Sequence, residues 1–178
     1  KIQSAMSDVN RNRKIILLNG TSSSGKTSLA KALQRLSPDP MLHASLDTFV
    51  DMFCWEAIPH AAVRAQCHAS GIFHFHQTLA LLAASPYTLV IDHIFEREEW
   101  YEATRKALAD QAFCFVGVRC PLEVAEERER QRGDRRLGMA QSQYEKVHQG
   151  KAYHLEIDTS QGTPEEGASR ILSFLKGG

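Results

Sequence analysis

IILLNGTSSSGKTS, residues 15–28, decides the fold. Its first four residues are apolar and bulky, and the run is short enough to be a buried strand. Gly20-x-x-x-x-Gly25-Lys26-Thr27 follows at once. Leu29, Leu33 and Leu36 then recur on one helical face until Pro38 and Pro40 stop the pattern. Strand, glycine-bracketed loop, lysine, hydroxyl and helix form the order of a phosphate-binding P-loop. The two glycines let Gly20, Thr21, Ser22, Ser23, Ser24, Gly25, Lys26, Thr27 and Ser28 curl until successive N–H groups surround one anion. The helix that follows points its positive end at the same place. Lys26 supplies a point charge for β- and γ-phosphates, and the Thr27 hydroxyl a ligand for Mg²⁺. A Gly/Ser-rich turn without a ligand is the plain alternative.

Outward from this stretch, strands and helices alternate. The patterns predict strands at 14–19, 41–45, 87–91, 113–118 and 153–157. Helices are expected at 26–37, 48–58, 61–84 with a break at Gly71, 98–110, 122–132, 140–149 and 164–175. That alternation predicts an α/β class, P-loop NTPase fold, a parallel sheet of about five strands with helices on both faces.

The chain has 178 residues, 43% hydrophobic and 24% charged, so a single soluble domain over residues 13–178 is expected. Residues 1–12 are read as an N-terminal extension, with Met6 as initiator and Lys1–Ala5 added ahead of it. The formal net charge is zero, which argues against a nucleic-acid binder that works by bulk charge. No apolar run approaches the ~18 residues of a membrane span, and the polar opening predicts no signal peptide. A cytoplasmic protein is therefore expected. Cys54, Cys67, Cys114 and Cys120 form no C-x-x-C pair and are expected to be free buried thiols. His74-Phe75-His76 is not expected to hold a metal, since alternate residues diverge on a strand or a helix.

Three further features carry chemistry. Asp92 ends the buried run YTLVID, at the carboxyl edge of a parallel sheet where ligands bind in open α/β folds. It is a Walker-B-type candidate for Mg²⁺, held through water. A helix N-cap or a solvated loop acid is the alternative. Arg128 and Arg132 are four residues apart, and Arg135 continues their face if the helix persists. Arginines so placed can close over a moving phosphoryl group, with Gly133 and Gly138 as lid hinges. Internal pairing with Glu123, Glu126, Glu127 and Glu129 is the alternative. Asp47 follows the second strand and opens DTFVDMFCW. It can accept the proton of an attacking alcohol, orient that hydroxyl, help hold Mg²⁺, or only cap a helix. Phe49, Met52, Phe53 and Trp55 beyond it read either as an apolar acceptor wall or as core.

A guanine-type N-K-x-D motif is absent, and the chain has little room beyond one nucleotide domain. A small kinase of the nucleoside-monophosphate-kinase type, with a short lid, ATP and Mg²⁺, is the reading these segments share. The acceptor is expected to be a small-molecule alcohol, with no nucleic acid or membrane partner. A metabolite or nucleotide kinase of the same fold is one alternative. A nucleotide-binding regulatory or ATPase module without an acceptor is another.

IILLNGTSSSGKTS, SLDTFVDMF, LVIDHIF and VGVRCPLEVAEERERQRGDRRLGMAQ together resemble the chloramphenicol phosphotransferase family. The likeness runs from about Lys14 to the end, and Cys120–Arg135 and Ser45–Thr48 are its most specific parts. The resemblance implies an ATP-dependent O-phosphotransferase, with chloramphenicol or a related antibiotic among candidate acceptors. It implies that Asp47 is the base, that Arg132 and Arg135 belong to a lid over the nucleotide, and that Thr159 and Ser160 lie where the last loop approaches the base. Lys26, from the P-loop, is expected to take part in transfer, and Arg128, from the arginine cluster, to lie beside the nucleotide. Two features depart from the family pattern. Asp92 is followed by His93 rather than a second acid, and Cys54-Trp55 stand where a proline is usual.

Overall fold

The computed structural model describes residues 14–109, 111–133 and 137–177. The expected extension at 1–12 lies outside them. Five strands form one parallel sheet: β1 (Ile15–Asn19), β2 (Met41–Ser45), β3 (Thr88–His93), β4 (Cys114–Arg119) and β5 (Leu155–Asp158). Their order is β2-β3-β1-β4-β5. Between them run α1 (Lys26–Leu36), α2 (Leu46–Val50), α3 (Ala61–Ala83), α4 (Glu98–Leu108), α5 (Leu122–Arg132) and α6 (Met139–Gln143). Helix α7 (Pro164–Gly177) closes the chain.

Strand β1 shows why the sheet is buried on both faces. Ile15 and Leu17 pack with Phe75, Leu79, Leu89, Ile91 and Phe115 on the side of α3 and α4. Ile16 and Leu18 pack with Leu29, Leu33, Val116, Ile157 and Ile171 on the side of α1 and α7. Successive side chains of a strand point to opposite faces, so a continuous apolar run fits only a sheet covered twice. The register pairs Leu18 with Asp92, and Ser45 with Asp92, so the carboxyl ends of β1, β2 and β3 meet at one edge.

Several expected elements take other bounds. The helix expected over 48–58 is α2 alone, followed by a short 3₁₀ turn at Trp55–Ala57. Arg64 explains part of this: its Nη1 donates to Trp55 O at 2.6 Å and Ile58 O at 3.1 Å, drawing those carbonyls away from a helical ladder. Pro59 also holds Ile58 in an extended conformation. Gly71 does not break α3. A Cβ there would stand 3.4 Å from the backbone of Phe49 and Val50, an ordinary contact, so α2 packs against α3 at this point without a break in the helix. The helix expected over 140–149 is α6 plus a 3₁₀ turn at Lys146–His148. Of the four thiols, Cys114 and Cys120 are buried, whereas Cys54 is exposed and Cys67 half-buried. His93, at the end of β3, stacks on His76 of α3 with their Nε2 atoms 2.9 Å apart, both buried. Burial pushes both imidazoles below the usual histidine range. Among the described residues, no helix is long and apolar enough to cross a membrane.

Candidate active site

The loop from Gly20 to Thr27 leaves β1 at the carboxyl edge and turns into α1. Two glycines make that path possible. A Cβ on Gly20 would lie 2.3 Å from Val118 O, so only glycine lets the loop start this close to β4. Gly25 has φ +95, a left-handed conformation that other residues adopt at a cost. Ser23 is also left-handed, at φ +58.

The loop is a polar concavity. Thr21, Ser22, Ser24 and Lys26 are buried. The Oγ atoms of Ser22, Ser23 and Ser24 are buried, with no hydrogen-bond partner among the described residues. Buried hydroxyls are normally paired, so three together mark a place built for a ligand with acceptor oxygens. Lys26 Nζ donates to Thr21 O at 2.8 Å and lies 4.0 Å from an Asp92 carboxylate oxygen.

Asp92 sits behind the loop, 4% exposed. Thr27 Oγ1 donates to its Oδ2 at 2.8 Å, so the hydroxyl lone pairs remain for a ligand. His43 Nε2 stands 3.6 Å from the same oxygen. Burial alone would raise the pKa of Asp92. His43, Lys26 and Thr27 outweigh it, and the carboxyl is held below its usual value. Thr27 and Asp92 therefore offer a donor set that fits a hydrated Mg²⁺: one neutral oxygen beside the loop and one anion behind it.

A cleft of about 430 Å³ opens beside the loop. Ser22, Ser23, Gly25, Lys26, Thr27 and Ser28 form its floor, with Asp47, Arg128, Arg132 and Thr159 on its walls. Asp47 is half-buried in the first turn of α2. Arg128 is not spent on the glutamates of its own helix. It donates from Nη1 to Thr159 Oγ1 and from Nη2 to Thr159 O, both at 2.9 Å. Thr159 Oγ1 in turn donates to Ser24 O at 2.7 Å. The internal pairing alternative holds for Arg130, which meets Glu127 at 2.5 Å. Arg135 lies outside the described residues.

Phe49, Met52, Phe53 and Trp55 do not line this cleft. Phe49 packs edge-on against Phe75 in the core, while Phe53 and Trp55 pair with each other at 5.6 Å. Sequence reasoning missed Gln131, Thr163 and Pro164 on the cleft wall, and His43 beside Asp92. Pro164 opens α7, and that position was the one signal available for it.

The family model described as chloramphenicol phosphotransferase-like protein matches residues 13–176. A protein of Mycobacterium tuberculosis (strain ATCC 25618 / H37Rv), provisionally named an O-phosphotransferase, is 30% identical over 181 residues, covering 89% of this chain and 80% of that protein. Shikimate kinase from Acinetobacter baumannii, solved in complex with shikimate, superposes with a TM-score of 0.66 at 17% identity, covering 97% of each chain. The Mycobacterium tuberculosis APS kinase, solved with AMPPNP and APS, gives 0.67 at 19% identity, covering 93% of this chain and 98% of that one. The structural likenesses show a shared P-loop kinase fold.

Proposed function

The chain belongs to the chloramphenicol phosphotransferase-like family, a family of small-molecule kinases, and we propose that it transfers the γ-phosphoryl group of ATP to a hydroxyl of a small neutral alcohol. The observation that carries this reading is convergence. Ser22 and Ser23 of the loop, Thr27, Asp47, Arg128 and Arg132 all border one cleft, and Thr27 ties it to the buried Asp92 behind.

In this reading the phosphates of ATP take the place now facing the three serine hydroxyls and the loop N–H groups. Lys26 leaves Thr21 O and follows the β- and γ-phosphates. Thr27, with Asp92 behind it, would hold Mg²⁺, which would supply charge neutralisation. The acceptor oxygen attacks the γ phosphorus, its proton passes to Asp47, and the bond to the β-phosphate oxygen breaks to leave ADP. Arg132 and, from the same segment, Arg135 offset the charge spread over the moving group. Arg128 and Thr159 hold the wall beside the nucleoside.

A neutral acceptor is favoured by charge. Between β2 and β3, Arg64 is the single lysine or arginine, against Asp47, Asp51 and Glu56. Its guanidinium is engaged by the Trp55 and Ile58 carbonyls and lies over the Trp55 ring. An anionic acceptor would find little to hold it there. Chloramphenicol, an uncharged alcohol, is the first candidate, and its phosphorylation would make this a resistance enzyme. Dependence on ATP favours the cytoplasm as its place of work. The test is ATP consumption by the purified chain with Mg²⁺, with and without chloramphenicol, reading product mass. A drug phosphate ester supports reaction and acceptor together. ATP binding without that ester removes chloramphenicol and leaves the kinase reading to other neutral alcohols. Phosphate release stimulated only by a protein partner would replace the kinase reading with an ATPase module.

A further inference from the structure

The segment around α6, which follows α5 in the chain, is fastened to the P-loop through buried side chains. Glu129 on α5 is 1% exposed. It accepts the Gly138 N–H at 2.8 Å and the Ala140 N–H at 3.1 Å, which fixes the start of α6. At the other end of α6, Gln143 is 6% exposed, and its Oε1 accepts the Ser22 N–H at 2.9 Å. Thr21 Oγ1 donates to Ala140 O at 3.0 Å, a second tie between the same two segments. An unbroken buried path therefore runs from α5 through Glu129, α6 and Gln143 to Ser22.

We propose that Gln143 is a positioning residue for phosphate binding: from the end of α6 it holds Ser22, and with it the curvature of the P-loop, without touching the nucleotide. This rests on the reading that the loop takes nucleotide phosphates. Two observations give the bond its leverage. Ser22 is 1% exposed, so its N–H needs a protein partner, and a side chain 121 residues away supplies it. Ser23, the next residue, is left-handed without being glycine, a conformation that persists only where its surroundings fix it. Ser22 is held on one side of it by Gln143, and the Ser24 N–H is held on the other by Thr21 O at 3.2 Å.

Gln143→Met keeps the length of the side chain and removes the acceptor. The Ser22 N–H must then turn toward water, and the fraction of loops shaped for phosphate falls. Apparent affinity falls by the same fraction. Adenosine has no phosphate and does not report the shape of the loop. The experiment measures ADP and adenosine binding to the intact chain by calorimetry, adenosine at millimolar concentration, with melting temperatures of the free proteins alongside. For Gln143→Met, ADP affinity is expected to fall about tenfold, or 1.4 kcal/mol, while adenosine stays within about twofold. Glu129→Gln, which keeps one acceptor oxygen and turns an amide toward the second N–H, is expected to give a smaller loss of the same phosphate-specific kind. Equal losses of ADP and adenosine would show general damage and overturn the proposal, as would unchanged ADP affinity in both variants. A wild-type chain that does not bind ADP would overturn the nucleotide reading, and this one with it.

Discussion

A methyl group on Gly20 has nowhere to go. Its Cβ would stand 2.3 Å from Val118 O and 2.7 Å from Ser24 Oγ. The serine hydroxyl can rotate, so the first contact decides the cost. Val118 belongs to β4, which is held between β1 and β5: Leu18 pairs with Val116, and Val118 with Ile157. A relaxed carbon–oxygen approach is about 3.3 Å, so one strand must retreat by about 1 Å. Overpacking costs about 1–3 kcal/mol, and displacement of a paired central strand belongs at the upper end, about 3 kcal/mol. For a chain of this size, that lowers the melting temperature by about 6–12 °C. The assay is thermal and urea unfolding of Gly20→Ala beside Gly133→Ala. Gly133 has φ +66 and, among the described residues, nothing within 4 Å of its Cβ position, so it serves as the conformational-strain control. That strain is expected to cost about 1 kcal/mol. Because the retreat moves the start of the P-loop, ADP affinity should fall in Gly20→Ala as well. A Gly20→Ala protein melting within about 2 °C of wild type would refute the close approach of loop and strand, since on this scale it leaves less than 1 kcal/mol.

The remaining expectations each address one contact. Asp47→Asn should lower turnover about 100-fold with ADP affinity within about twofold, measured by product mass and calorimetry. Near-normal turnover would remove both the base and the positioning role. Thr159→Val keeps its volume but deletes the hydroxyl between Arg128 and Ser24 O, two hydrogen bonds at about 1 kcal/mol each. Urea unfolding should show a loss of about 2 kcal/mol, and an unchanged midpoint would dismiss this clasp. Burial, and after it the charge of Arg119, pushes His148 down to about 4 from 6.5. The unfolded chain then binds more protons than the folded one, so stability falls as pH drops from 6.5 toward about 4. The slope from this residue reaches about 1.4 kcal/mol per pH unit, and His148→Gln should flatten it. Parallel curves of melting temperature against pH for the two proteins would contradict the assignment.

Elements whose cause is local are the ones legible in the sequence. Strand β2 and helix α5 fall on the residues that their patterns mark, because burial period and punctuation lie within each segment. The helix after Asp47 was overdrawn because its end depends on Arg64, a residue of the following helix that captures two loop carbonyls. A run such as TFVDMFCW carries no trace of that capture. The candidate site divides the same way. Asp47 follows β2, Asp92 ends in β3 and the P-loop leaves β1, and these are adjacent strands in the order β2-β3-β1. In a parallel sheet all carboxyl ends share one edge, so three segments far apart in sequence converge with no further signal than strand and acid. The hydrogen bond of Thr27 to Asp92, across 65 positions, is the direct product of that geometry. Thr159, by contrast, meets Ser24 and Arg128 at the loop itself as well as lining the cleft, and only resemblance had set it near the nucleotide. Gln143 is further still from legibility. A glutamine on a five-residue helix has no periodic signature, and its partner is a backbone N–H, which every residue but proline offers. Sheet topology thus makes the convergence of loop and acids readable, while the bonds that shape the loop around them are readable only once the chain is folded.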